Sequence, residues 1–101
     1  MRIRLTVDGY WVRAAGTQPR FLAIEMLAQA AAVLHSGEDR RAPGYLAGVE
    51  DARWAGDFAA GDDIEARVAV DARLGALTRI RGALLRDGQE IFSCRLIVRS
   101  V

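Results

Sequence analysis

Residues 2–7, Arg-Ile-Arg-Leu-Thr-Val, alternate between charged or polar and apolar positions without a break, the period-two mark of a half-buried strand. Asp8-Gly9 follows as a turn signal, and residues 10–14 are compatible with a second strand. Gly16-Thr17-Gln18-Pro19 reads as a loop, with Thr17 a candidate helix N-cap and Pro19 an early helical residue. From residue 21 to about 36 the chain is dominated by Ala, Leu, Met, Glu and Gln, all good helix formers. Gly37 is placed to end that helix, and residues 38–44 form a polar loop.

The second half changes period. Residues 45–53 read as the start of a strand, and residues 58–63 as a turn rich in glycine and aspartate. In residues 64–70, Ile64, Ala66, Val68 and Val70 point one way and Glu65, Arg67 and Ala69 the other. Residues 77–85 make a further strand with Arg79 and Arg81 on its polar side. Asp87-Gly88 is a hairpin turn, and residues 91–101 run out as a last strand with Arg95 and Arg99 on one face. One early helix followed by successive antiparallel strands predicts an α+β domain with the helix packed on a sheet.

The helix is the unusual element. From Phe21 to Leu34 only Glu25 and Gln29 are polar, so the segment is apolar nearly all round and is expected to be central. Glu25 and Gln29, four residues apart, share one face. A carboxylate on a buried helix is costly unless it is paired, protonated or used. Read from the residues alone, Glu25 is either satisfied by backbone N–H groups, an arginine or Gln29, or it is a site residue.

Composition narrows the function classes. The chain has 101 residues, one domain's worth, with 51% hydrophobic and 27% charged residues, a globular balance. Its 14 basic and 13 acidic residues leave a net charge of +1, which argues against a dedicated nucleic-acid binder. Every basic residue is arginine. The lone Cys94 excludes a disulfide within the chain and is most simply a small core hydrophobe. The first residues lack the apolar core of a signal peptide, and the longest apolar run is too short and too polar for a membrane span, so a cytoplasmic protein is expected. The scattered carboxylates and the single His35 offer no metal-ligand spacing, and neither a metal nor a cofactor is expected.

Three segments and part of a fourth carry a family likeness. Ile24-Glu25-Met26-Leu27-Ala28-Gln29-Ala30-Ala31 resembles the central helix of the FabZ-type (3R)-hydroxyacyl-acyl carrier protein dehydratases, a hotdog-fold family. Tyr45-Leu46-Ala47-Gly48-Val49-Glu50-Asp51-Ala52-Arg53-Trp54 resembles the family's next strand. Gly61-Asp62 matches its following turn in part, and Asp87-Gly88 with residues 91–98 resembles its closing hairpin. The likeness runs from about residue 20 to the C-terminus. It implies a hotdog fold, in which an antiparallel sheet wraps one helix and two chains pair edge to edge. It also implies an acyl thioester, on acyl carrier protein or coenzyme A, entering a tunnel at the dimer interface. There a histidine of one subunit and the helix glutamate of the other perform dehydration. Glu25 takes the glutamate position, and Gln29, Tyr45 and Gly48 take substrate-binding positions, with core packing an equal reading for Tyr45.

The departure is specific. Trp11 stands where the family has its histidine, and residues 11–20 contain none. His35 lies ten residues beyond Glu25 on the same helix, about 15 Å along the axis, too far to act with it. As a last-turn residue it favours the helix dipole. Three function classes follow. The first is dehydration of 3-hydroxyacyl thioesters in fatty-acid, polyketide or aryl-polyene-type biosynthesis, by a homodimer that has replaced its histidine or by a heterodimer with a histidine-bearing homologue. The second is a hotdog thioesterase using Glu25. The third is a non-catalytic acyl-binding or scaffold domain. Arg40, Arg41, Arg79 and Arg81 are candidate contacts for an acidic carrier protein, and Trp11 and Trp54 read as packing or interface residues.

Overall fold

A computed structural model describes residues 2–6, 20–38, 44–58 and 61–100. In chain order the elements are β1 (Arg2–Thr6), α1 (Arg20–Glu38), β2 (Gly44–Trp54), β3 (Asp63–Leu74), β4 (Leu77–Arg86) and β5 (Gln89–Ser100). The five strands form one sheet in the order β1-β3-β4-β5-β2, and each neighbouring pair is antiparallel. The helix lies against one face of this sheet. Expectations for Asp8, Gly9, residues 10–14, Thr17, Pro19, Arg40 and Arg41, and for the His35 side chain, lie outside the described residues.

Alternation builds the core. Ile64, Ala66 and Val68 of β3, Ile80 and Leu84 of β4, and Phe92, Cys94, Leu96 and Val98 of β5 are buried on the helix side. They meet Leu22, Ala23, Met26, Leu27, Ala30 and Ala31 of α1. Burial drives the Cys94 thiol up to about 11 from its ordinary 9.0, as expected for a core residue. Leu27 of the helix reaches over Gly82, where a Cβ would stand 3.1 Å from Leu27 Cδ2. Glycine at that position lets the backbone of β4 receive a leucine side chain. At the edge of the core, the Trp54 ring lies 4.4 Å from Phe92 and 6.5 Å from Phe58 between centroids.

The β4–β5 hairpin turns on Asp87 and Gly88, both with positive φ (53° and 79°), as a two-residue type I′ turn requires. Strand β3 continues to Leu74, beyond the alternation that ends at Val70. A bulge at Asp71 places Ala72 opposite Arg79 just after Val70 pairs with Ile80, so the inside–outside parity shifts by one. The helix runs through Gly37 to Glu38, one residue past its expected stop.

The expectation of a buried Glu25 is corrected. Among the described residues only the sheet-facing side of α1 is covered, and Glu25, Gln29 and Ala32 are exposed on the other side. A single sheet can cover one side of a helix, whatever the residues on the opposite side.

Candidate functional site

The i, i+4 spacing on α1 brings Glu25 and Gln29 together on the outward face. Gln29 Nε2 donates to Glu25 Oε1 across 3.4 Å, a long contact that orients the carboxylate without enclosing it. The half-buried Ile24 and Ala28 and the exposed Ala32 surround the pair, so the carboxylate stands on a largely apolar helix surface with its outer side open.

Tyr45 and Gly48 are carried by β2, an edge strand. The register sets Tyr45 opposite Arg99 and Gly48 opposite Ile97, whereas Leu46 and Val49 pair with Val98 and Leu96 of the core. Alternation therefore turns Tyr45 and Gly48 to the side of the sheet away from α1. Tyr45 is 52% exposed, so core packing does not describe it. Trp54, by contrast, packs against the core, in line with its expected role. Within one chain the structure joins Glu25 to Gln29 and does not bring Tyr45 or Gly48 to them.

Strand β2 is irregular. Ala47 interrupts its pairing with β5, and a second break at Asp51 and Ala52 puts Asp51 at a φ of 52°. Asp51 accepts a hydrogen bond from Arg95 of β5, which ties the bulged stretch back to the sheet. Of the arginines considered for carrier-protein contact, Arg79 is held by Asp71 at 2.9 Å, while Arg81 is exposed on the same face. No described group of three or more His, Cys, Asp or Glu side chains is placed to hold a metal ion. No described helix is long and apolar enough to cross a membrane.

No family model matches the chain, and no curated protein matches it in sequence. Solved structures do match in fold. A probable thioesterase from Bartonella henselae is 7% identical, with a TM-score of 0.82, over 100% of this chain and 89% of its own. A gentisyl-coenzyme A thioesterase is 11% identical, with a TM-score of 0.83, over 99% of this chain and 88% of its own. A chain of the dehydratase heterocomplex ApeI:P from Xenorhabdus doucetiae is 23% identical, with a TM-score of 0.77, over 99% of this chain and 74% of its own. These likenesses, with the strand order and the helix across one face, establish the hotdog fold.

Proposed function

We propose that the chain acts on acyl thioesters as one half of a two-subunit site, and that its reaction is the dehydration of a 3-hydroxyacyl thioester to the trans-2-enoyl product. The observation that carries this reading is the outward-facing carboxylate. Glu25 points away from its own sheet, its described partner is Gln29, and the only histidine of the chain is on the same helix about 15 Å away. A carboxylate so placed meets its reaction partner from another chain.

Dehydration needs a base for the C2 proton and an acid for the C3 hydroxyl. A histidine of the partner subunit removes the C2 proton, and the Glu25 carboxyl, held by Gln29, protonates the departing hydroxyl, which leaves as water. Electrons from the broken C–H bond form the double bond. Substrate contact beside Glu25 falls to Gln29; Tyr45 and Gly48 face the other side of the sheet and would meet substrate only around the exposed edge of β2, the surface through which two chains would join. The likeness to a chain of a dehydratase heterocomplex supports pairing with a histidine-bearing homologue.

The test is mass spectrometry of a 3-hydroxyacyl carrier protein incubated with this chain alone and with such a homologue. Loss of one water in the mixture, abolished by Glu25→Gln with assembly intact, is expected. Unchanged turnover by the variant removes Glu25 from the reaction. A second reading, thioester hydrolysis with Glu25 as general base or nucleophile, is favoured by the fold likeness to two thioesterases. It predicts release of free thiol from acyl-coenzyme A by this chain alone, lost in the same variant.

A further inference from the structure

The face of the sheet turned away from α1 contains a basin of about 620 Å3 lined by Arg2, Arg53, Arg67, Arg81 and Arg95. Register explains both the hollow and its charge. Across one row, Arg2 stands opposite Arg67, Arg67 opposite Ala83, Ala83 opposite Ser93, and Ser93 opposite Arg53. In the adjacent row, Ala69 stands opposite Arg81, Arg81 opposite Arg95, and Arg95 opposite Glu50. Small side chains occupy the middle of this patch and arginines surround them.

Like charges directly opposite on neighbouring strands repel. Here there are two such pairs, Arg2 with Arg67 in one row and Arg81 with Arg95 in the next. Carboxylates answer only part of this charge. Glu65 holds Arg67 at 2.9 Å, and Asp51 holds Arg95. Arg95 Nε is shielded from solvent without a hydrogen bond, because its 3.4 Å approach to Asp71 has ion-pair distance but not hydrogen-bond geometry. Arg2, Arg53 and Arg81 have no ion pair among the described residues. The lining sets five arginines against Asp51 and Glu90.

We infer that this basin binds a small ligand carrying two or more phosphate groups. Guanidinium forks match phosphate oxygens in two-point contacts, and an anion between the facing arginines turns their repulsion into attraction. The hollow has the size of a small-molecule pocket. The charge converges on one basin, and the chain as a whole is nearly neutral, unlike a nucleic-acid binder. The site lies across the sheet from Glu25, and Tyr45 and Gly48, although on the same face, do not line it, so the assignment does not rest on the thioester reading.

Isothermal titration calorimetry of the full chain with pyrophosphate and with ADP tests the assignment. Saturable binding is expected, weakened roughly tenfold or more by Arg81→Ala and by Arg53→Ala. Arg99→Ala, at the far end of the same face, leaves it unchanged. Tighter binding of ADP identifies a nucleotide, and tighter binding of pyrophosphate a free diphosphate; either supports the site. Without ligand, Arg81→Ala melts at or above the wild-type temperature, since it relieves the facing Arg95, so lost binding is not lost folding. Absence of saturable binding at millimolar pyrophosphate overturns the proposal. Equal weakening by Arg99→Ala overturns it too, as does tighter binding of poly-glutamate, which would make the face a protein-docking surface.

Discussion

The two sides of α1 are built from the same kinds of residue and meet different surroundings. Toward the sheet, Leu22, Ala23, Met26, Leu27, Ala30 and Ala31 are buried against four strands. Away from it, Ile24, Ala28 and Ala32 are nearly as apolar, yet they are half-buried or exposed and surround Glu25 and Gln29. The first side is finished within one chain. The second is an apolar surface with a carboxylate at its centre and no cover from the described residues. On the proposed reading, folding falls to one side of the helix and chemistry to the other, and substitutions two residues apart should separate them.

The largest effect is expected on the covered side. Leu27 is fully buried, and its terminal methyls press on Gly82, which has no side chain that could move into a space left behind. Leu27→Ala should therefore cost about 3 to 4 kcal/mol in chemical denaturation, toward the upper part of the range for such truncations. Glu25→Gln, on the open side, should change stability by less than about 0.5 kcal/mol. Its cost should appear in turnover of the assembled enzyme, as a loss of roughly 100-fold or more, the usual contribution of a positioned acid or base. A large loss of stability in Glu25→Gln would erase the contrast between the two sides.

A smaller effect distinguishes the core by pH. Cys94 has a folded value of about 11 against an ordinary 9.0, because burial disfavours the thiolate. The fold holds the thiol proton more tightly than the unfolded chain does. The corresponding stability is complete below pH 9 and is lost as pH rises toward 11, by about 2 kcal/mol. Denaturation midpoints measured from pH 8 to 11 should fall more steeply in the wild type than in Cys94→Ala. Parallel curves would place the thiol in contact with water.

Much of this division was legible in the residues. The alternation of Ile64, Ala66, Val68 and Val70 assigns the inner face of β3, and Asp87-Gly88 marks the last hairpin, because both signals are local. The bulge at Asp71 was not legible, since nothing in Asp71-Ala72-Arg73 announces an extra residue, and with it went the last third of β3. Glu25 was expected to be buried for a different reason. An apolar helix needs cover, but periodicity does not say whether its own sheet or a second chain supplies it. The arginine basin was invisible for a third reason. Arg2, Arg53, Arg67, Arg81 and Arg95 are spread along the whole chain, and only the strand order with its register brings them to one place.

The finest test of the comparison lies on β2, where the division between folding and chemistry is less marked than on α1. A Cβ at Gly48 would meet Ile97 at 3.8 and 3.9 Å, ordinary contact distances, and the residue does not have the positive φ that would exclude a side chain. Neither space nor backbone conformation requires glycine there. Gly48→Ala should leave stability unchanged or raise it by up to about 1 kcal/mol, because alanine has less freedom to lose on folding. If Gly48 lines the path of the acyl chain, the added methyl narrows that path, and KM for long acyl thioesters rises while kcat for short ones holds. Steady-state kinetics across a series of acyl lengths reads this directly. A KM that is the same at every length, in a variant as stable as the wild type, would remove Gly48 from the substrate path and leave Glu25 and Gln29 as the site's contribution from this chain.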